Sequence, residues 1–385
     1  MKTKIILALA ALFCLTDCES VKSSYEMDDF MSEKTLQYMR GEGSKKKPEE
    51  IIRDLHRMAE SGEADVQFML GICYMSGNGV KTDTAEAVRW FRKAADQNFV
   101  MAQHILGNLY FKGEGVEKNM AEGHRLLLSA AKQGFREAQR DVGLLYLHGI
   151  GVQKDPAEAA KWLHKAAKQG ETEAQRQLGE LYANGVGEKQ DFEEAVHWYR
   201  KAMEGGDIQA QYALGIMYHY GLGVEKNEKE GVRMIQKAAD AGVDEAQVYL
   251  AKCYLQGEGV PADVKKAYRM LRAAAEKGFL PAQNALGVFC LTGVYMEADV
   301  KEGRRWLTKA AESGHVKSQV LLGVFYQEGI GVEKDGAKAF YWFSKAAEQG
   351  HPEVNKFLAR CYEEGIGVKK DAAKAKQLYA KANAH

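Results

Sequence analysis

The chain has 385 residues, of which 46% are hydrophobic and 28% charged, enough apolar material for a large soluble body and too much for disorder throughout. Its 53 Lys and Arg balance 53 Asp and Glu, so it lacks the excess of cations by which nucleic-acid binders track phosphate.

At the N-terminus, Lys2 and Lys4 precede an apolar run from Ile5 to Leu15, too short to span a bilayer but right for the core of a signal peptide over residues 1–18. Cys18 follows Leu15, Thr16 and Asp17 and resembles the acylated cysteine of a bacterial lipoprotein box, with Asp17 standing where a small residue is usual. Two outcomes fit: lipidation at Cys18, or cleavage near Ser20 and release. Both predict export, to the periplasm, to the outer membrane as a lipoprotein, or out of the cell. Residues 19–47 end in the polar stretch from Gly41 to Lys47 and read as a flexible tether, after which Pro48 opens the first helix.

From there a small residue returns every 36 positions: Gly71, Gly107, Gly143, Gly179, Gly215, Ala251, Gly287, Gly323 and Ala359. A fixed period of this length is the signature of stacked repeats. The second unit shows the frame, with a first helix near 101–112 carrying Ala102, Leu106 and Tyr110 on one face and a second helix near 120–132. Each second helix opens on an Asp or Asn in phase with Asp83, and Glu follows three later in six units (Glu86, Glu122, Glu158, Glu194, Glu230, Glu302), which predicts reciprocal capping boxes. Because Ala serves at two beats, the beat requires small volume and predicts close helix packing. The recurring Tyr, three after the beat, and Trp90, Trp162, Trp198, Trp306 and Trp342 read as core wedges, and pairs such as Gly149 and Gly151 as turn glycines. Cys73, Cys253, Cys290 and Cys361 read as buried thiols, since equivalent sites of stacked helices lie beyond disulfide reach.

Ala138 to Gly143, Tyr146, Gly149 to Val152, Asp155, Ala159, Trp162, Ala166, Ala167 and Gly170 resemble, in order, the Sel-one-like repeat, a relative of the tetratricopeptide repeat. The resemblance spans 48–385. It implies an all-α protein, a right-handed α/α superhelical solenoid of nine 36-residue helix-turn-helix repeats, with first helices lining the concave side. It also implies an adaptor that holds other proteins in the bacterial envelope or outside the cell. One unit departs from the frame: Cys290 replaces Tyr and Tyr295 stands where the second turn Gly belongs, so that turn is expected to differ.

Chemistry needs converging groups, and the sequence brings none together. Ser129 and Lys132 fit Ser-x-x-Lys, and some cysteine-rich relatives have been described as β-lactamases, so a β-lactam or cell-wall peptide hydrolase is the competing reading. Phase speaks against it, because the intervening alanines are ordinary repeat alanines and no Lys-Thr-Gly partner exists. The ten histidines are scattered, His315 and His351 read as surface turn residues, and no enzyme, metal or cofactor is expected. Function then falls to the first-helix stripe at positions three before, one after and five after the beat. There His104, Arg140, Leu144, His148, Arg176, Tyr212 and Tyr220 are the candidate partner-binding residues, charged forks beside amphipathic rings suited to an extended peptide or acidic segment.

Overall fold

The computed structural model describes residues 48–293, 297–351 and 353–383. It divides at Asp207 and Ile208 into two compact units. The first contains α1 (Pro48–Glu60), α2 (Ala64–Ser76), α3 (Thr84–Asp96), α4 (Val100–Lys112), α5 (Met120–Lys132), α6 (Arg136–His148), α7 (Pro156–Lys168), α8 (Thr172–Asn184) and α9 (Phe192–Glu204). The second contains α10 (Ile208–Tyr220), α11 (Glu228–Asp240), α12 (Asp244–Gln256), α13 (Val264–Glu276), α14 (Leu280–Thr292), α15 (Val300–Glu312), α16 (Val316–Glu328), α17 (Gly336–Ala347), α18 (Val354–Glu364) and α19 (Ala372–Asn383). No strand occurs among the described residues. Within each unit every helix packs on its chain neighbours, the arrangement of an α/α solenoid. The expected signal peptide, the tether, Cys18 and Tyr295 lie outside the described residues.

The beat glycine fits against the residue 20 positions later on the second helix of its own repeat. A Cβ at Gly179 would sit 2.6 Å from the Tyr199 ring, and one at Gly323 2.5 Å from Phe343. Small volume is the requirement, as the alternation with Ala implies.

The caps form, but as half a box. Asp83 Oδ1 accepts from the Glu86 amide at 2.9 Å, and the same bond recurs at every second helix through to Asp371 and Lys374. The reciprocal bond expected from the Glu does not complete it. The amide of each cap residue instead donates to a carbonyl of the preceding first helix, as from Asp83 to Tyr74 at 2.9 Å. Released from that duty, Glu86 and Glu158 pair with Arg89 and Lys161 at 2.9 Å, and Glu302 accepts from Trp306 Nε1. The same cap geometry survives where Cys290 replaces Tyr, because the acceptor is the backbone carbonyl, which accepts from Asp299 at 2.8 Å.

The turn glycines have distinct duties. Gly185 ends α8 in the left-handed region, φ 65°, where a side chain is strained. Gly187 has φ 73°, and a Cβ there would stand 2.2 Å from the Pro156 carbonyl of the preceding repeat, so this glycine also lets two repeats touch.

A second tie between repeats runs through glutamine. Gln139 Nε2 donates to the Ala131 carbonyl of the previous repeat at 3.1 Å, while its Oε1 accepts from Gln169 at 2.7 Å. Gln67 with Gln97, Gln103 with Gln133 and Gln319 with Gln349 repeat the pairing. Where Ser313 replaces the outer Gln, buried Gln283 keeps its bond to Ala275 but its Oε1 is left without a partner. A buried amide oxygen so left carries a desolvation penalty.

Trp90, Trp162, Trp198 and Trp306 are buried, and the Lys93 ammonium lies 3.8 Å from the Trp90 ring centroid. Trp342 is only half-buried. Cys73, Cys253, Cys290 and Cys361 are buried free thiols, each pushed up by burial to about 11 and therefore unreactive near neutrality.

Candidate functional site

The first-helix stripe of the first unit is a ladder of charge rather than a set of free forks. The Arg140 guanidinium donates to Asp141 at 2.7 and 2.9 Å and to Glu171, just ahead of the next first helix, at 2.9 Å. Arg176 likewise donates to Glu180 at 2.8 Å and to Asp207 at 3.0 Å, while Glu173 lies 3.4 Å from Arg140 and 3.7 Å from Arg176. His104 is buried and hydrogen-bonds Asp141 Oδ2 at 2.7 Å. Burial opposes ionisation of Asp141, but His104 and Arg140 outweigh it and hold the carboxyl well below its ordinary range. Glu171 goes the other way, raised by burial that Arg140 only partly offsets. Two arginines thus face five carboxylates, and the ladder leaves a negative excess. An acidic segment is a poor match for it.

Leu144 is half-buried and His148, at the end of α6, is exposed. In the second unit Tyr212 is half-buried and Tyr220 is 48% exposed. Their rings stand 6.3 and 6.4 Å from Tyr249 in edge-on contact, and burial pushes the Tyr212 hydroxyl up to about 12. Beneath them lies buried His219, 3.3 Å from Glu258.

A contact rule emerges within the repeats: the residue three before the beat meets the residue 31 positions later, just ahead of the next first helix. Arg140 meets Glu171 and Arg176 meets Asp207 in this way. Phe68 with Phe99 and His104 with Phe135 do so as ring pairs, with centroids 5.2 and 5.3 Å apart. In the second unit Asn284 and His315 are bridged by Ser318, whose hydroxyl lies 2.9 Å from each. His315 is therefore a cap rather than a bare surface group, accepting from the Ser318 amide, with its pKa lowered by burial and by Lys317. The next pair, Val320 and His351, has no such bridge and borders a groove of about 860 Å³. Reading one helix at a time names one side of each seam and misses the other; Glu171, Asp207 and Phe135 were legible only as the residues 31 places on.

Ser129 and Lys132 lie on α5, where Lys132 is exposed and the Ser129 carbonyl accepts from the Gln133 amide. Among the described residues no cluster of His, Cys, Asp and Glu is placed to hold a metal, and no helix is long and apolar enough to cross a membrane.

An all-helical stack of two-helix units with an interaction ladder on one face defines a repeat solenoid, a class that works by binding other proteins. The Sel1 repeat model matches residues 64–99, 100–135, 136–171, 172–207, 208–243, 244–279, 280–315, 316–351 and 352–385, and the chain belongs to the Sel1 repeat family. Among solved structures it is similar to c5321, a protective antigen present in uropathogenic Escherichia coli strains and displaying an SLR fold: 30% identity, 97% of this chain and 86% of that one, TM-score 0.62. A Sel1 repeat protein from Oxalobacter formigenes is 34% identical over 63% of this chain and 96% of that one, with a TM-score of 0.59. No curated protein matches the chain.

Proposed function

We propose that the protein is an exported scaffold that holds a protein or peptide partner on its first-helix face. The observation that carries the reading is the division of labour within each repeat. Packing, capping and the glutamine ties are met by the beat, cap and Gln positions, while the stripe keeps accessible side chains such as His148 and Tyr220. On this reading Leu144, His148 and Tyr220 meet the partner directly, and His104, Arg140, Arg176 and Tyr212 hold the surface in shape beneath them. Residues of large amphipathic surface in such places are the ones that dominate binding energy at interfaces.

Export rests on the charged and apolar pattern of residues 1–18. Fractionation of the native cell, with labelled palmitate to follow Cys18, tests this part: protein confined to the cytoplasm removes it. For the face itself, His148→Asp and Tyr220→Ala should each reduce co-purification of a crosslinked envelope partner without lowering helicity. Full recovery of every partner by both variants removes the face.

A further inference from the structure

We propose that the seam between the eighth and ninth repeats docks an extended peptide segment carrying acidic side chains among aliphatic ones. This rests on the scaffold reading and names the class of partner for one stretch of the face. At three other seams the stripe residue is joined to its counterpart 31 positions on: by rings at Phe68 and Phe99, by charge at Arg140 and Glu171, and through Ser318 at Asn284 and His315, with Asn284 also bordering the groove described next. At Val320 and His351 the space is open, and Val316, Val320, Leu321, Val354 and Phe357 line a groove of about 860 Å³. Phe357 is 38% exposed although its ring stacks on Phe343 at 5.3 Å, so one flank awaits a cover. Apolar surface of this kind is stabilised when a partner removes it from water.

The rim sets the partner's charge. Lys317 on α16 and Lys356 on α18 are exposed, His351 stands beside them, and Glu353 is the one carboxylate among the lining residues. No ion pair engages either lysine among the described residues, in contrast to Arg140 and Arg176 with their five carboxylates. The two ammonium groups sit on different helices, so they suit acidic side chains spaced along a segment better than the single carboxylate of a chain end.

The test starts from random peptides displayed on phage and selected on the full mature chain. The enriched sequences are then made with acetylated N-termini and amidated C-termini, and titrated by fluorescence anisotropy. The expected result is enrichment of Asp and Glu among Val, Leu and Ile, with Lys317→Glu/Lys356→Glu weakening binding at least ~10-fold and Lys317→Arg/Lys356→Arg retaining most of it. Circular dichroism checks folding; should the charge reversal lose helicity, Lys317→Gln/Lys356→Gln replaces it. Peptides that bind yet ignore both the lysine changes and Val320→Asp overturn the groove and leave the scaffold reading standing. Basic enriched sequences, or binding that requires a free C-terminal carboxylate, also overturn the proposal. A selection that enriches nothing overturns the groove and leaves the scaffold reading to the co-purification test of His148→Asp and Tyr220→Ala.

Discussion

The Arg140 seam of the first unit and the Val320 seam of the second occupy the same place in the repeat and do opposite things. In the first, the residue 31 positions on is an acid, Asp141 adds a second, and a partly buried guanidinium is held by a carboxylate of its own helix and one just ahead of the next first helix. In the second, the counterpart is His351, the nearby cations are exposed lysines, and the gap stays open. A cation on a repeat surface is thus structural where carboxylates of its own helix and of the turn ahead of the next first helix close on it, and available where they do not.

The sharpest way to break this comparison is to remove cations from both seams. Arg140→Met leaves Asp141 and Glu171 without their shared partner and should destabilise the protein by ~3 kcal/mol in a denaturant titration, the scale for breaking a buried ion pair from one side. Lys317→Met/Lys356→Met should shift the same titration by less than ~0.5 kcal/mol, as surface changes do. Equal effects at the two seams would erase the distinction.

Acid probes the first seam through Asp141. Asp141 has a depressed pKa, so the stability it contributes is present above its unfolded value of about 3.9 and is lost as pH falls through its lower folded value. Glu171 is shifted upward and acts with the opposite sign, softening the loss. The stability of the native chain should therefore drop below about pH 4, and Asp141→Asn should flatten that drop; an unchanged acid limb in the variant would assign it to other carboxylates.

A smaller effect is expected at the glutamine ties. Ser313→Gln supplies the partner that Gln283 Oε1 lacks and that Gln349 provides to Gln319 at 2.9 Å. It should raise stability by ~1 kcal/mol, and Gln349→Ser should lower it by a similar amount. If Ser313→Gln leaves the melting curve in place, the orphaned oxygen costs nothing.

Much of this was legible in the sequence because the repeat states each local requirement nine times. The beat at Gly179, the cap at Asp155 and the turn glycine at Gly185 are each set by contacts within one helix pair, and a period of 36 residues exposes them. What the sequence hid lies in contacts between helices and in backbone bonds. The cap amides donate to the Tyr74 or Cys290 carbonyls, a backbone bond that no residue type announces, and so the capping glutamates are free for other pairs. Arg140 and Arg176 read as open forks because the carboxylates that close on them come from the same helix and from the turn ahead of the next first helix. Val320 and Lys356 stood on the same stripe, and only the geometry of the seam sets them apart.

The claim on which the account turns is that partners meet the first-helix face. A photoreactive residue placed in the native cell at His148, Tyr220 or Lys317, and for comparison at Lys168 or Arg233 on exposed second-helix surface, tests it directly. Mass spectrometry should find the same partner protein joined at one or more of the first three positions and at neither of the last two. Adducts formed only at Lys168 and Arg233 would place the working surface on the opposite helices and contradict the account.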